Sequence, residues 1–263
     1  MTTAQWQAFA AFRQEFREKV REWSGFSGAL RQLQLESAEK DTPPYPLETG
    51  IVYNRALDDI TQNDEIRLLV IGDNPGKDEQ LAKNNRYLVG QAGKIADGFF
   101  RRNPEFGVDF RRNVIILNKT PVHTAKTAHL KYVIKNGGTE IRELIERSQI
   151  WMAQKTAELH SALAAGADPA DAGRRTELWL VGYAELKKKG IFTLYRDTLQ
   201  DAYSAANGDG AWNDVYVFQH FSMNRFSIDL REFREKHPEL PLTDAVHALG
   251  TIHKNEIYNS REK

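Results

Sequence analysis

Residues 66–76 read Ile-Arg-Leu-Leu-Val-Ile-Gly-Asp-Asn-Pro-Gly, an apolar run that ends at a polar turn. The aliphatic stretch at 68–71 predicts a strand buried on both faces, as in a parallel sheet covered by helices. Ligands of open parallel sheets bind beyond the carboxyl ends of the strands, so Asp73 and Asn74 lie where chemistry is common. The same residues also favour a simple tight turn, and the motif alone leaves both interpretations open.

Three further apolar runs follow this first strand, at 113–117, 178–181 and 215–218. Segments with helical patterns separate them, and strands that alternate with helices predict a parallel sheet with right-handed crossovers. We therefore expect an α/β fold, a three-layer α/β/α sandwich with a central four-stranded parallel sheet.

Helical segments are predicted on both sides of the strands in the sequence. In residues 1–24 aromatic side chains recur every three or four positions, which predicts an amphipathic helix packed on the core. Residues 139–165 show a helical pattern, and a helix is expected over much of 186–206. Residues 227–263 predict a C-terminal helical extension, and the length of the chain fits one domain, 1–263.

Composition excludes several kinds of site. The chain contains no cysteine, which excludes disulfides, thiolate zinc sites and cysteine-ligated iron–sulfur clusters and fits a reducing compartment. The sequence has no membrane-spanning run and no signal-peptide pattern, so we expect a cytoplasmic protein, nucleoid-associated if prokaryotic. Thirty-six basic and thirty-six acidic residues cancel, so no overall field attracts a polyanion.

Charge is nevertheless uneven along the chain, because the basic segment 110–139 contains no acidic residue. Such a segment fits a solvated face whose counter-charges come from elsewhere in the fold, or a surface that binds phosphates. Its charged side chains are Arg111, Arg112, Lys119, Lys126, Lys131 and Lys135, together with His123 and His129.

Polar side chains follow three of the four predicted strands. Asp73 and Asn74 follow the first strand, Asn118 follows the second, and His220 follows the fourth. The carboxyl ends of parallel strands share one edge of the sheet, so we expect these side chains to meet there.

Three segments at these strand ends resemble the signature motifs of the uracil-DNA glycosylase superfamily. They are Gly-Asp-Asn-Pro-Gly at 72–76, Leu-Asn-Lys-Thr-Pro at 117–121 and His-Phe-Ser-Met-Asn at 220–224, in the family's order. The single-strand-selective monofunctional branch is the most similar, with Gly-Met-Asn-Pro-Gly, His-Asn-Leu-Cys-Pro and His-Pro-Ser-Pro-Arg-Asn. Val-Tyr-Asn at 52–54 also resembles a segment of that branch, and the similarity spans roughly residues 28–226.

The resemblance implies an enzyme that hydrolyses the bond between deoxyribose and uracil or a related damaged base. This reaction passes through an oxocarbenium-like sugar while negative charge develops on the departing base, so the enzyme must place a water and stabilise an anion. By resemblance Asn74 orients the water, and Asp73 is a second candidate, as a base. His220 would donate a hydrogen bond to O2 of the leaving base. No nucleophilic side chain, metal or cofactor is implied.

The same resemblance implies how the extruded base would be bound. Asn118 would read its edge, because a carboxamide offers one donor and one acceptor, which suit O4 and N3–H of uracil. Asn118 could equally cap a turn. Gly72 would belong to the substrate-binding residues. The ring that stacks on the base aligns with Tyr87 or, counted from a downstream motif, with Leu88, and stacking favours Tyr87.

Contacts with DNA are implied in two places. The family inserts a loop into the minor groove after the third motif, and the residues that align with this wedge are Ser222, Met223, Asn224 and Arg225. From the basic segment 110–139, Lys119, Lys126 and Lys131 would lie beside the phosphate backbone. The expected partner is DNA with a damaged base, single- or double-stranded, bound by a monomer without a membrane partner.

Several positions depart from the family pattern and leave the preferred base open. Phe221 and Met223 replace two prolines of the wedge, and Arg55 replaces a third proline. Asp73 replaces methionine, which adds a carboxylate to a pocket that must stabilise an anion. A lyase would need a desolvated lysine amine, and because Lys77 and Lys119 are both expected in wet turns, we expect a monofunctional enzyme.

Other classes of function remain open. A non-catalytic descendant of the fold that binds nucleic acid or a base is the main alternative. Gly-Lys at 76–77 lacks the P-loop spacing, and an SGNH-type esterase needs serine where Asn74 lies. As a test of the family assignment, we expect Asn74, Asn118 and His220 within about 10–12 Å of each other in one cleft. A placement of Asn118 and His220 at opposite edges of the sheet would count against the assignment.

Overall fold

The computed structural model describes residues 1–165, 175–205 and 210–259. All four apolar runs of the sequence form strands there, as predicted, and nearly every strand residue is buried because helices cover both faces. The strands are β1 (Leu68–Gly72), β2 (Val114–Asn118), β3 (Glu177–Val181) and β4 (Val215–Phe218).

The four strands form one parallel sheet in the order β2-β1-β3-β4. Leu69 of β1 pairs with Ile115 of β2 and with Leu178 of β3, and Trp179 of β3 pairs with Tyr216 of β4. Parallel neighbours require crossover connections, which the helices supply. The predicted three-layer α/β/α sandwich around a four-stranded parallel sheet is therefore confirmed.

Helices make up most of the remaining described chain. The α-helices are α1 (Thr3–Trp23), α2 (Ser27–Ala38), α3 (Gln91–Arg102), α4 (His129–Asn136), α5 (Gly138–Ala165), α6 (Tyr183–Leu186), α7 (Thr193–Ala205), α8 (Arg225–Lys236) and α9 (Leu242–Tyr258). Short 3₁₀ turns occupy 24–26, 55–59, 104–106, 211–214 and 222–224. Within the described residues, no helix has the length and apolar character needed to cross a bilayer.

One helical layer packs through aromatic rings on the face of the sheet that presents Trp179. The Trp179 ring lies 4.8 Å from Phe218 of β4, 5.2 Å from Phe100 of α3 and 5.9 Å from Phe226 of α8, between ring centroids. Because these rings are fully buried, they tie α3 and α8 to the strands. The start of α8 is thereby fixed directly after the end of β4.

The other helical layer is built on α5, which packs against α1, α4 and α7. The rings of Phe12 and Phe16 on α1 stack on Trp151 of α5, with centroids 6.2 and 5.8 Å apart. The aromatic stripe predicted for residues 1–24 is therefore confirmed as a packing surface. It buries large apolar area and carries no site.

Some local predictions were wrong. The helix expected over much of 186–206 is α7 (Thr193–Ala205), but it begins later than expected, after a turn at 187–192 that contains three exposed lysines. Helices α2 and α4 were not predicted, because they have only twelve and eight residues and so offer few turns in which a period can be recognised. The loop predicted at 166–175 falls mostly on 166–174, which lie outside the described residues.

Candidate active site

The polar residues after the strands lie at the carboxyl edge of the sheet, and they follow three different strands. β2 and β4 are the outer strands of the sheet, so Asn118 and His220 follow strands on opposite lateral edges. Three interstrand steps of about 4.8 Å separate these strands by about 14 Å. The expectation that they avoid opposite edges was wrong, because β1 and β3 both lie between them. By the criterion set from the sequence, this order counts against the family assignment.

The charged groups in the middle of this carboxyl edge nevertheless act on His220. It lies two residues beyond the end of β4, and burial lowers the pKa of its imidazole. Asp73 raises that pKa and Lys119 lowers it further, so both charges act on the His220 ring. The row of side chains thus runs from Asn118, past Asp73 and Lys119, towards His220.

A buried ion pair occupies the middle of the row. Lys119 is 0% exposed, and its Nζ donates to Asp73 Oδ1 at 2.6 Å. The same ammonium donates to the carbonyl oxygens of Val181 at 2.6 Å and Gly72 at 3.2 Å. All three protons of the ammonium therefore have acceptors, on the ends of β1 and β3.

The position of Lys119 corrects two expectations. It was expected in a wet turn beside the DNA backbone, but its full burial keeps it from phosphate. Burial lowers the pKa of the Lys119 amine, and the carboxylate of Asp73 opposes that shift. Its protons are engaged by three acceptors, one of them the Asp73 carboxylate, so the nitrogen is not a free nucleophile.

Two neighbours complete the setting of the Asp73 carboxylate. Thr127 Oγ1 donates to Asp73 Oδ2 at 3.2 Å. Gly182 follows β3 with φ of 96°, and a Cβ at this position would overlap Asp73 Oδ1. Glycine is needed at 182 for both reasons, because it tolerates the left-handed backbone and leaves room for the carboxylate. The carboxylate is therefore fixed from three sides.

The carboxamide of Asn74 is oriented by the loop that follows β2. Its Nδ2 donates to the carbonyl of Val122 at 3.1 Å and to Thr124 Oγ1 at 2.8 Å. Both amide protons are thus used within the fold, and Asn74 is only partly buried. Its Oδ1 is the atom left to accept a hydrogen bond from an incoming group such as water.

Asn118 has the opposite property, a donor without an acceptor. It is 2% exposed, and within the described chain its Nδ2 has no hydrogen-bond partner. A Cβ at Gly72 would overlap Asn118 Oδ1, so the glycine permits this close approach. A buried amide without a partner costs free energy, and such groups in native proteins call for an explanation such as a ligand or water.

The tautomer of His220 follows from its contacts. The backbone N–H of Ser222 donates to His220 Nδ1 at 3.0 Å, and Ser222 Oγ lies 2.8 Å from the same atom. A backbone N–H can only donate, so Nδ1 is the unprotonated nitrogen. With Nδ1 unprotonated the ring is neutral and carries its proton on Nε2, and burial, which lowers the pKa of this imidazole, acts in the same direction. Nε2–H is the available donor.

Directly after His220, residues 222–224 form an exposed turn. Phe221 is fully buried against Phe226, with ring centroids 5.1 Å apart, and it anchors the turn to α8. Met223 is 77% exposed, the most exposed of the large hydrophobic side chains in the described residues. Met223 and Asn224 have φ of 54° and 58°, a strained conformation for side chains of this size. Ser222 and Arg225 are also exposed, so all four wedge candidates are accessible.

Within the described residues, no hydrogen bond or ring contact joins Asn118 to Tyr87 or Leu88, the two candidates for the stacking residue. Tyr87 is 1% exposed, donates from its hydroxyl to the carbonyl of Val52 at 2.6 Å, and lines a cavity of about 280 Å³ beside β2. Leu88 has φ of 50°, and its N–H donates to Glu79. Burial raises the pKa of Glu79 to about 7. Both candidates are core residues here, and the choice between them stays a prediction.

Acidic side chains from other parts of the fold pair with the basic segment 110–139, as expected for a solvated face. Asp41 pairs with Lys126 at 3.0 Å and with His129 at 2.9 Å. Lys131 lies 4.0 Å from Glu185. Lys126 and Lys131 remain exposed and could still reach phosphate, but their net field is reduced by these partners.

Sequence reasoning missed a second basic group at the same edge of the sheet. Lys187, Lys188 and Lys189 lie in the exposed turn after α6, which itself follows the end of β3. Lys187 Nζ lies 4.0 Å from the Tyr183 ring centroid, a cation–π contact. Lys188 and Lys189 form no ion pair within the described chain. Three consecutive lysines at a strand end were the signal that could have found this group.

Comparison with protein-family models, with curated proteins and with solved structures gives no match to this chain. The family resemblance therefore depends on the three strand-end motifs and on what their side chains do in the fold. In the part of the chain that the structure describes, no group of three or more His, Asp or Glu side chains could hold a metal ion.

Proposed function

We propose that this chain is a monofunctional DNA glycosylase, which hydrolyses the bond between deoxyribose and uracil or a related deaminated base. The observation that carries the proposal is the row at the carboxyl edge of the sheet. Asn74 presents an acceptor, Asn118 presents a buried donor without a partner, and His220 presents Nε2–H. Water placement, base reading and anion stabilisation require these three kinds of group.

Each side chain has one role in this proposal. Asn74 Oδ1 accepts from the water that attacks the sugar, and Asp73 is the nearest carboxylate. Asn118 reads the flipped base, and its amide gains the acceptor that it lacks in the free protein. His220 Nε2–H donates to the base oxygen on which negative charge grows, and a neutral imidazole can do so without prior proton loss.

DNA is the proposed partner, and a monomer is the proposed binding form. Met223 on its rigid turn would enter the minor groove, and Lys188 and Lys189 would contact phosphates on the same edge. The proposed reaction consumes only water and needs no cofactor. The absence of cysteine fits a reducing compartment, and we propose that the protein acts in the cytoplasm, on nucleoid DNA in a prokaryote.

A non-catalytic descendant of the same fold is the second candidate. The observation that favours it is the strand order, which separates Asn118 from His220 by two strands. Such a protein would bind a base through Asn118. The water at Asn74 and the imidazole of His220 would not act on that nucleotide. Binding of damaged DNA without excision would distinguish it from the enzyme.

The test is base excision from an oligonucleotide that contains one uracil, as a single strand and in a duplex. The wild-type protein should leave an abasic site, which alkali cleaves and which stays intact without alkali. Asn74→Ala and His220→Ala should each lower the single-turnover rate about a hundred- to a thousandfold while affinity stays nearly unchanged, because both groups act in the transition state. Full excision by both variants would exclude this site, and strand scission before alkali would exclude the monofunctional mechanism.

A further inference from the structure

Two positions at which this chain differs from the resembled motifs contact each other. Asp73 stands where the resembled branch has methionine, and Lys119 stands where it has leucine. In the fold they form the buried pair, with Nζ and Oδ1 2.6 Å apart. Two apolar positions have thus become one ion pair inside the candidate site. Either charge alone would be buried without a partner, so the two side chains depend on each other.

The pair is built to fix one carboxylate. Lys119 is itself held by the carbonyl oxygens of Gly72 and Val181, so its ammonium is locked to the ends of β1 and β3. It binds only Oδ1 of Asp73, whereas Oδ2 accepts from the partly exposed hydroxyl of Thr127. Oδ2 can therefore still accept a proton. The next residue in the chain is Asn74, whose Oδ1 also remains as an acceptor.

We propose that Lys119 is a positioning residue, which holds the Asp73 carboxylate in place as the group that takes the proton of the attacking water. This inference rests on the proposed glycosylase function. Water oxygen bonds to C1′ of the sugar while the bond from C1′ to the base nitrogen breaks, and its electron pair stays on the base. The water proton goes to Asp73 Oδ2, and the base anion later takes a proton from solvent.

The same pair explains how a carboxylate is tolerated beside an anionic leaving group. Asp73 alone would repel the negative charge that develops on the base, but the pair with Lys119 has no net charge. Both members act on His220 with opposite signs, so they offset each other at the imidazole that faces the leaving base. The carboxylate can therefore serve as a base without raising the charge of the pocket.

The test is a double-mutant cycle of Asp73→Asn, Lys119→Met and the double variant, measured as single-turnover excision. If Lys119 acts through Asp73, each single change lowers the rate by about a hundredfold or more, and the double variant is no slower than Asp73→Asn. Affinity for the oligonucleotide should change little. Lys155→Met is the matched control, because Lys155 pairs with Glu15 and Glu158 on helices outside the site, and its rate should equal that of the wild type.

Folding of the variants is controlled within the cycle. Lys119→Met leaves a buried carboxylate alone and could prevent folding, but the double variant removes both charges and can be compared directly with Asp73→Asn. A double variant tenfold or more slower than Asp73→Asn would show that Lys119 acts independently of Asp73, and would overturn the proposal. An active Lys119→Met variant with the wild-type rate would overturn it as well.

A second readout does not depend on activity. The midpoint of the His220 imidazole signal, followed by NMR against pH and assigned with His220→Gln, should fall in Asp73→Asn, because Asp73 raises the pKa of His220. In that background Lys119→Met should raise it again. Absence of both shifts in an active protein overturns this inference alone. A wild-type protein that excises no base overturns the proposed function, and this inference with it, whatever the titration shows.

Discussion

At the scale of single residues, the candidate site is defined by what each polar atom already contacts. The amide protons of Asn74 are used, those of Asn118 are not, and Nδ1 of His220 accepts from a backbone N–H. These contacts decide which atom of each side chain remains for a ligand. Residue type alone could not decide this, because either end of a carboxamide and either nitrogen of an imidazole can bind a ligand.

The unpartnered amide of Asn118 leads to a prediction about base choice. Asn118→Asp replaces the donor that would face O4 of uracil with an acceptor, so uracil excision should fall by about a hundredfold or more. The new acceptor could bind the exocyclic amine of cytosine, which offers the complementary proton. Parallel excision assays on uracil and cytosine oligonucleotides measure both effects. Unchanged uracil excision would show that Asn118 does not read the base.

A buried histidine next to the site should make stability depend on pH. His123 bonds the carbonyl of Pro75 through Nδ1 at 2.8 Å and the hydroxyl of Tyr45 through Nε2 at 3.0 Å, and burial lowers its pKa to about 4. The unfolded chain binds a proton near pH 6.5, before the folded protein does. The free energy of unfolding should therefore fall as pH drops from about 6.5 to 4, by roughly 3 kcal/mol from this group.

Urea unfolding at pH 7 and pH 4.5 tests this expectation for His123. His123→Gln keeps a donor for Pro75 and an acceptor for Tyr45 but does not titrate, so its loss of stability over that range should be smaller. Equal losses in both proteins would assign the acid sensitivity to other groups.

At the scale of elements, the wedge is a turn between β4 and α8. The buried ring of Phe221 and the start of α8 hold its two ends, and Met223 and Asn224 adopt left-handed backbone between them. Strain of this kind persists only where the surroundings impose it, and it often marks functional positions. Phe221, at the position where the resembled motif has proline, thus stiffens the turn by packing.

The exposed side chain of Met223 should affect uracil excision from duplex DNA only. Met223→Ala should lower uracil excision from a duplex by about tenfold or more, because opening a base step costs a few kcal/mol that the wedge offsets. Excision from a single strand, which has no stack to open, should change little. Met223→Leu keeps the apolar volume and should retain duplex activity. Equal losses on both substrates would show that the turn is not a wedge.

At the scale of the whole molecule, charge lies mainly in pairs. The chain is neutral overall, and the basic segment 110–139 is partly neutralised by Asp41 and Glu185. Lys188 and Lys189 form no such pairs within the described residues and lie at the edge that carries the candidate site. DNA affinity should therefore come from the carboxyl edge of the sheet more than from the long basic segment.

Salt dependence measures this difference. Lys188→Ala with Lys189→Ala should weaken binding to any DNA sequence and reduce the slope of log affinity against log salt by about 0.9 for each lost phosphate contact. Lys126→Ala with Lys131→Ala should have a smaller effect, since these lysines already have acidic neighbours. A larger change for the second pair would return the main DNA contact to the basic segment 110–139.

Much of this fold could be predicted from the sequence, because its strands are short aliphatic runs that end at polar turns. The run at 68–71 and the three later runs each became a strand, and the aromatic stripe of α1 became a packing surface. Patterns of this kind depend only on neighbours along the chain. Helix α4 and the lysine turn at 187–189 were missed, since α4 has only eight residues and a run of lysines has no hydrophobic period.

Strand order and side-chain partners were decided by tertiary structure. The sequence by itself determined which residues stand at strand ends, because the end of an apolar run is local. It could not determine that β2 and β4 are the outer strands, since order depends on how crossovers pack. Nor could it show that Lys119 is buried against Asp73, because residues 46 positions apart meet only in the folded sheet. A lysine in a polar motif is most often solvated, and here the carbonyl oxygens of two neighbouring strands and one carboxylate replaced the water.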